Sequence, residues 1–328
     1  MADSGRPADH AVHRLVDRYG DVTVRDLAWL LFAPDLLRAS HAGAPLADPF
    51  ETPAERDATL AWLDGLDRDP HPLHARSRNP KLTRLGFYAE SLLEFFLTHG
   101  PAARLIAANV PLRKHRRTIG ECDFLLQSAS GARLHWEMAV KFYLHIGDGS
   151  GNAARLSDYV GPNLQDRFDL KHARLITHQL ALSSREEFAS LGFGSAWTAQ
   201  LYIKGRLFYH GAGVTPAPEL GDDHLRGWWL TVSEWSAAHG TAASGEDQAW
   251  VVQPRLAWLA SRRLAAADAG ALLADAAAIH ERLRSAVSPT MVASYARDAD
   301  GGWSERSRGF IVPDDWPERA RTYALTTI

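Results

Sequence analysis

The chain has 328 residues, a formal net charge of −3 and 46% hydrophobic residues, enough apolar sequence for a sizeable core. Its length suggests about two domains or one large one. The single cysteine, Cys122, excludes an internal disulfide framework and zinc sites built on several cysteines, and it fits a reducing cytoplasm. No apolar run approaches the about 20 residues of a membrane helix, and the charged N-terminus does not predict a secretory signal. We therefore expect a cytoplasmic protein that does not enter a membrane.

The charge is distributed unevenly along the sequence. Residues 76–117 contain nine basic and two acidic residues, so this stretch carries +7 and the remainder sums to −10. Such a basic block predicts an anionic partner for one face of the protein, with a merely solvated basic surface as the alternative. The basic residues are Arg76, Arg78, Lys81, Arg84, Arg104, Arg113, Lys114, Arg116 and Arg117.

The first 80 residues predict a helical segment. The stretch VRDLAWLLFAPDLL spaces its apolar residues at helical intervals and places an acid, Asp26, in the first turn. Several prolines follow and mark a connector that ends near residue 80. We interpret residues 1–80 as an N-terminal addition to a core that begins at residue 81.

Residues 81–212 predict that core. The apolar stripe of residues 82–100 indicates an amphipathic helix with Glu90 near its edge. A strand follows, and then TIGECDFLLQ and ARLHWEMAVKFYL, joined by a short Ser/Gly turn, predict an antiparallel hairpin. A glycine-rich loop begins at residue 147 and leads to a helix predicted over residues 164–182. One face of this helix is basic and is expected to be solvated unless it faces the cleft; it consists of Arg167, Lys171, Arg174 and His178. After it, SAWTAQLYIKGRLFYH predicts one long strand or a strand pair.

The order helix, strand, hairpin, helix, strand predicts a mixed sheet flanked by helices, an α/β or α+β fold. Residues 213–328 contain several tryptophans and an alanine-rich helix. We expect them to form a mixed C-terminal extension packed on the core.

The hairpin raises the functional question, because it places ionisable residues in otherwise apolar strands. Side chains alternate between the two faces of a strand. Glu137 and Lys141 therefore share one face of HWEMAVKF, and Asp123 joins them if the register permits, while Cys122 is expected on the opposite, apolar face. A carboxylate among apolar neighbours is unfavourable unless it is paired or bound to a metal. One interpretation is therefore an ion pair of Glu137 with Lys141 or with an arginine, in a protein–protein interaction module.

The other interpretation is catalytic. Magnesium prefers oxygen ligands, so two or three carboxylates can hold it, and such a metal activates water and neutralises charge on an attacked phosphate. Two acids on adjacent strands, an acid on the preceding helix and a nearby lysine are what phosphodiester hydrolysis requires. The +7 stretch flanks these acids, where a polyanionic substrate would need it.

The same order of acids resembles the core of the PD-(D/E)XK nuclease superfamily, and the chain more closely resembles the family called domain of unknown function 1853, which is grouped with those nucleases. The stretches that carry the resemblance are VRDLAWLL, RLGFYAESLLEF, GECDFLL, HWEMAVKFYL, GPNLQDRFDLKHARLITHQL, KGRLFYH and RGFIVPDDWP. The resemblance implies a restriction-endonuclease-like sheet and a metal-dependent phosphodiesterase that acts on DNA or RNA with Mg²⁺ or Mn²⁺.

Carried over by position, the resemblance makes Asp123 and Glu137 the metal ligands, Glu90 the helix acid and Lys141 the catalytic lysine. It also makes Lys171 and Gln179 supporting contacts to phosphate or water, and we add Arg117 from the basic block as a substrate contact.

The lysine departs from the superfamily pattern, because it follows the acid by four residues instead of two. On a strand this is about 13 Å between Cα atoms instead of about 7 Å. Lys171 is therefore an alternative for the lysine role. A non-catalytic nucleic-acid-binding or scaffold protein with the same fold is the alternative function.

Overall fold

The structure is a computed structural model, and it describes residues 7–77, 83–115, 117–147, 153–194, 196–211, 213–239 and 248–326. The predictions for Arg78, Lys81, Arg116 and residues 148–152 of the glycine-rich loop lie outside these ranges. The helices of the described residues are α1 (Pro7–Val16), α2 (Val22–Phe32), α3 (Pro53–Arg68), α4 (His71–Ser77), α5 (Leu85–His99), α6 (Phe168–Arg174), α7 (Glu186–Ala189), α8 (Val232–His239), α9 (Ala266–Leu272), α10 (Ala276–Leu283) and α11 (Trp316–Leu325).

The strands belong to one sheet in which β1, β2, β3, β5, β6, β10, β9 and β7 follow one another, with β4 pairing to β3 and β8 to β10. Their bounds are β1 (Ala103–Lys114), β2 (Arg117–Ser128), β3 (Arg133–His145), β4 (Tyr159–Val160), β5 (Thr198–Tyr209), β6 (Leu225–Thr231), β7 (Gln248–Val252), β8 (Arg263–Leu264), β9 (Thr290–Arg297) and β10 (Trp303–Val312).

The sheet is mixed, which confirms the predicted α+β class. β1, β2 and β3 are antiparallel, and β3 pairs in parallel with β5. The predicted hairpin is also confirmed, with Phe124 opposite Trp136 and Gln127 opposite Arg133. β5 then pairs in parallel with β6. The strands of residues 213–328 thus extend the same sheet that residues 81–212 begin.

The strand β3 alternates between two cores. Trp136, Met138 and Phe142 pack on one side with apolar residues of α2 and α5, as the sequence predicts. Ala139 and Tyr143 pack on the other side with the segment that contains α6. The ionisable face of β3, which includes Glu137, is therefore covered by α6 and the residues after it, while α5 lies across the opposite face.

The helix predicted over residues 164–182 is shorter and less regular than expected. α6 begins at Phe168, and residues Leu175–Gln179 form a π-helical turn in which the Leu180 amide donates to the Leu175 carbonyl at 3.0 Å. Arg167 lies before the helix and is buried, with hydrogen bonds to Asp169 and to the carbonyls of the C-terminal residues. Arg167 therefore does not contribute to a basic helix face.

Buried charged side chains connect the helix α2 with the residues that precede β8. Asp26 of α2 accepts two hydrogen bonds from the Arg262 guanidinium, at 2.8 and 2.9 Å, and a further one from the Tyr88 hydroxyl at 3.0 Å. Glu305 of β10 forms a second bidentate pair with Arg308. All four charged side chains are buried. We refer to Asp26, Arg262, Glu305 and Arg308 as the paired cluster.

None of the helices in the described ranges combines the length and the hydrophobicity that crossing a membrane requires.

Candidate active site

The strands β2 and β3 separate at Asp123. Their pairing runs only as far as Phe124 opposite Trp136. Beyond that point Asp123 Oδ2 accepts a hydrogen bond from the Met138 backbone amide at 2.8 Å, so a side chain replaces the strand-to-strand bond. On β1, the other strand that neighbours β2, Asn109 lies opposite Asp123. It has a φ of +52°, the left-handed conformation that asparagine tolerates well. Asp123 therefore lies where the regular sheet opens.

This irregularity changes the face to which Cys122 belongs. Phe124 packs with Trp136, but Cys122 packs with Leu125 and Leu182 on the opposite side of the sheet. The expectation that Cys122 and Phe124 share an apolar face was wrong, because strict alternation assumes a regular strand. The thiol instead lies on the side of Glu137.

Glu137 is buried, with 1% of its surface exposed, and it has two partners. Its Oε1 lies 2.8 Å from His135 Nε2, and its Oε2 accepts a hydrogen bond from Gln179 Nε2 at 3.1 Å. The expected ion pair of Glu137 with Lys141 or an arginine was therefore wrong. A histidine two residues earlier lies on the same strand face and reaches the carboxylate directly.

An open cleft of about 1160 Å³ lies beside these residues, and we call it the acidic cleft. Glu90, Glu121 and Asp123 contribute carboxylates to its wall, and Gln179 separates it from Glu137. Its described lining is Ala75, Arg76, Phe87, Glu90, Ser91, Glu94, Asn109, Thr118, Ile119, Gly120, Glu121, Asp123, Arg174, His178 and Gln179.

The cleft carboxylates repel one another. Burial, followed by the charges of Glu137 and Glu90, raises the pKa of Asp123 to about 8. Burial and the charge of Glu121 likewise raise the pKa of Glu90 above its ordinary value. Within the described residues, no basic side chain lies within 4.0 Å of the Glu90 or Asp123 carboxylates. In the part of the chain that the structure describes, these acids thus lie near one another without a paired cation.

The two candidate lysines have different surroundings. The Lys141 ammonium forms an ion pair with Asp166, and 23% of the lysine side chain is exposed. Lys171 has no ion pair within 4.0 Å among the described residues, and its positive charge acts on both Asp123 and Glu90. Burial and the nearby charge of Lys141 lower the Lys171 pKa. The structure therefore brings Lys171 to the acids and directs Lys141 to a different carboxylate.

Gln179 reaches the site because the π-helical turn lies against β2. The side chain donates to Glu137 Oε2 and, at 3.4 Å, to the Glu121 carbonyl, while its Oε1 lies 2.9 Å from His178 Nδ1. The close approach depends on Gly120, since a Cβ there would lie 2.7 Å from Leu182 Cδ2. π-Helical turns occur frequently at functional sites.

The basic residues contribute only in part. Arg76 lines the acidic cleft and is paired with Glu94, and Arg174 lines the opposite wall. Arg117 is exposed at the start of β2, next to Thr118, but does not itself belong to the described lining. Lys114 is paired with Glu187.

The whole site falls within a recognised protein family. Residues 25–312 match the family described as "Domain of unknown function (DUF1853)". The chain belongs to this family. No curated protein and no solved structure matches the chain. The match ends at the last residue of β10 and includes every residue of the acidic cleft, so the cleft and the paired cluster are both inside the DUF1853 region.

Sequence reasoning missed two parts of this DUF1853 site. His135 precedes Glu137 by two residues, and alternation along HWE could have placed both on one face. Arg174 was assigned to a basic helix face without a link to the acids, and its position on the cleft wall depends on how the segment after β4 packs against the sheet. The first signal was present in the sequence, whereas the second is a tertiary property.

Proposed function

We propose that the chain is a metal-dependent phosphodiesterase that acts on DNA or RNA at the acidic cleft. The single observation that carries the proposal is the meeting of Glu90 and Asp123 on one cleft wall, with Glu137 directly behind them and without a paired cation among the described residues. The order of the elements that supply these acids, α5, β2 and β3, is the order in the nuclease superfamily that the sequence resembles.

The donor set fits a hard divalent cation. The available donors are carboxylate oxygens of Asp123, Glu137 and Glu90, which are the ligands that Mg²⁺ and Mn²⁺ prefer. Burial, followed by the charges of Glu137 and Glu90, raises the pKa of Asp123, and a bound cation would favour its ionised form. Asp123 and Glu137 would hold the metal, with Glu90 in contact directly or through water.

When bound, the metal would supply Lewis acidity at the phosphate and a more acidic water. The protein's own groups hold the carboxylates in place: the Met138 amide holds Asp123, and Gln179 together with His135 holds Glu137. Lys171 is the lysine that we assign to positioning the attacking water, because its charge already acts on Asp123. Lys141 remains in its pair with Asp166.

The cleft also has features that suit a nucleic acid. Arg76 and Arg174 contribute positive charge to its walls, which a phosphate backbone requires. Phe87 lies in the lining with 49% of its surface exposed, and an exposed ring can stack on a base. The volume of the cleft is sufficient for more than one nucleotide unit.

A second candidate function is nucleic-acid binding without cleavage. The observation that favours it is the position of Lys141, which the superfamily pattern makes catalytic but which is paired elsewhere. In that case Arg76 and Arg174 would still bind phosphates, while the carboxylates would not support hydrolysis.

The test is cleavage of labelled single-stranded and double-stranded DNA and RNA with Mg²⁺, with Mn²⁺ and with a chelator. We expect metal-dependent products from the wild type and a loss of at least about 100-fold in Asp123→Asn and Lys171→Met. Lys141→Met is the matched control, and it should keep the wild-type rate.

Two results would contradict the proposal, one of them the cleavage itself and the other the role of Lys171. If no polymer is cut under any metal condition while gel shifts show binding that weakens steeply with salt, the binding function replaces the enzyme. If Lys141→Met abolishes cleavage and Lys171→Met does not, the assignment of the lysine is reversed. Circular dichroism spectra of each variant establish that the fold is intact.

A further inference from the structure

Three ligating side chains meet behind the wall of the acidic cleft. Cys122 Sγ, a ring nitrogen of His135 and a carboxylate oxygen of Glu137 all lie within 4.8 Å of one another. The three residues are almost fully buried, at 0, 0 and 1% exposure. The interior thus brings together three side chains of different types, each of which is a common metal ligand.

The chemistry of these ligands differs from that of the cleft. A thiolate sulfur, an imidazole nitrogen and one carboxylate oxygen suit Zn²⁺ and related transition metals, whereas Mg²⁺ avoids sulfur. In a tetrahedral zinc site, bond lengths of about 2.0–2.3 Å place neighbouring ligand atoms roughly 3.3–3.5 Å apart. The three atoms here lie within 4.8 Å of one another, with His135 Nε2 and Glu137 Oε1 at 2.8 Å. Shifts of up to roughly 1.3 Å would bring them to the separations of a tetrahedral site.

The histidine is already oriented by a partner on its other nitrogen. His135 Nδ1 lies 3.0 Å from the Ser183 hydroxyl, while Nε2 faces Glu137. Metal-binding histidines commonly donate their second ring N–H to such a partner, which fixes the tautomer and the ring orientation. Ser183 can therefore accept from Nδ1–H and leave Nε2 free as a ligand.

Glu137 can serve the two sites with different oxygens. Its Oε1 faces His135 in the interior, and its Oε2 faces Gln179 at the cleft wall. Gln179, which lines the cleft, therefore contacts the Glu137 oxygen that does not face His135.

We propose that Cys122, His135 and Glu137 form a transition-metal site for Zn²⁺ or a similar ion, separate from the Mg²⁺ site of the cleft and sharing only Glu137 with it. The inference does not depend on cleavage, since two of its three ligands, Cys122 and His135, have no part in the proposed hydrolysis. Binding replaces the proton of the Cys122 thiol and the proton that His135 and Glu137 share, and both protons pass to solvent.

Cobalt provides a direct test, because the chain has one cysteine. Reduced protein without an affinity tag is titrated with Co²⁺ in the presence of excess Mg²⁺. We expect a sulfur-to-cobalt charge-transfer band in the near ultraviolet and intense visible bands typical of four-coordinate cobalt, saturating at a single equivalent. Zn²⁺ should then abolish both. Since no other thiol exists, the charge-transfer band can arise only from Cys122.

The variants separate this site from the cleft. Cys122→Ser should lose the charge-transfer band, and His135→Gln should weaken Co²⁺ binding by at least tenfold, the effect expected from loss of a ligand. Asp123→Asn is the matched control, which should keep the spectrum because its carboxylate belongs to the cleft alone. Wild-type protein without a charge-transfer band would overturn the proposal, and it would leave the cluster as a hydrogen-bonded core network.

The outcome is also independent of the proposed function. A cobalt–thiolate band in a protein that cuts no nucleic acid would support the transition-metal site and reject the phosphodiesterase. Metal-dependent cleavage that Asp123→Asn abolishes, in a protein without the band, would do the opposite.

Discussion

The paired cluster and the acidic cleft use buried carboxylates in opposite ways. In the paired cluster, Asp26 and Glu305 are each matched by an arginine in bidentate geometry. In the cleft, Glu90 and Asp123 have no basic side chain within 4.0 Å among the described residues, and burial followed by the charges of neighbouring carboxylates raises the pKa of each. The first arrangement neutralises its own charge, whereas the second leaves its carboxylates without a paired lysine or arginine among the described residues.

The difference separates carboxylates that are neutralised within the fold from carboxylates that remain available to a ligand. Asp26 also accepts hydrogen bonds from the Tyr88 hydroxyl and the Ala260 amide. Each of its two carboxylate oxygens therefore accepts two hydrogen bonds, from donors in α5 and in the residues before β8. Among the described residues, Asp123 accepts one hydrogen bond, from the Met138 amide to Oδ2, and the residue lines the cleft. Unneutralised acids in an open cleft are a recognised mark of functional sites.

The largest expected effect is a loss of stability from breaking the paired cluster. Arg262→Met removes both hydrogen bonds to Asp26 and leaves a buried carboxylate without its counter-ion. Such a change typically lowers the free energy of unfolding by about 3–5 kcal/mol. Urea denaturation followed by tryptophan fluorescence measures it.

The control for this variant is Arg306→Met, which breaks an arginine–aspartate pair with an exposed guanidinium. The expected loss is about 0–1 kcal/mol, because water replaces the partner. Equal losses in the two variants would contradict the distinction between paired interior charges and surface pairs.

The cleft should respond in the opposite direction. With a pKa of about 8, the Asp123 carboxyl must take up a proton on folding at pH 7, whereas Asp123→Asn needs none and keeps an oxygen that can accept from the Met138 amide. We expect the free energy of unfolding at pH 7 without divalent cations to rise by about 1–3 kcal/mol. Mg²⁺ at about 100 times its dissociation constant should stabilise the wild type by about 2.7 kcal/mol and the variant much less.

Thermal unfolding with and without Mg²⁺ measures both the change in stability caused by the substitution and the stabilisation by the cation. Glu94→Gln, a change at another acid of the cleft lining, is the comparison, because Glu94 is paired with Arg76. Its cation dependence should match that of the wild type. A destabilised Asp123→Asn would mean that the carboxylate holds the fold, as the acids of the paired cluster do.

The pH dependence sharpens the same contrast. The pKa of Asp123 is about 8 in the folded state, above its ordinary value of 3.8, so the folded protein holds this proton more tightly than the unfolded chain. The resulting stability is fully present below about pH 4 and is lost as the pH rises towards 8. The wild type should therefore lose stability relative to Asp123→Asn across this interval.

Urea denaturation at a series of pH values checks the difference between the two proteins. A constant difference from pH 5 to pH 8 would show that Asp123 titrates at the same pH in both states. Saturating Mg²⁺ should also flatten the difference, since a bound cation favours the ionised carboxylate.

Much of the fold was predictable because periodicity and turn chemistry act locally. The hairpin of β2 and β3 follows from alternation and a Ser/Gly turn, and the apolar face of β3 was correctly assigned. Family membership was also recognised from the sequence and is confirmed by the match over residues 25–312.

The failures occur where tertiary contacts override local pattern. Cys122 changes face because β2 is irregular beside Asn109, and the helix before Gln179 widens into a π-helical turn against Gly120. The pairing of Lys141 with Asp166 depends on a loop that reaches β3 from later in the chain. None of these contacts leaves a signal in spacing along a single strand or helix.

The smallest expected effect concerns Lys141, which belongs to neither extreme. Its ion pair with Asp166 is part-exposed on both sides, at 23 and 35% of the side chains. Lys141→Met should therefore change the free energy of unfolding by about 0–1 kcal/mol, and added salt should reduce the change further. Thermal unfolding at low and high ionic strength measures it.

The same variant should keep the full stabilisation by Mg²⁺, because the ammonium that it removes is paired with Asp166. If Lys141→Met instead abolished that stabilisation, the lysine would have to reach the cleft when the cation binds, and the acidic cleft would then be assembled by its ligand instead of being preformed.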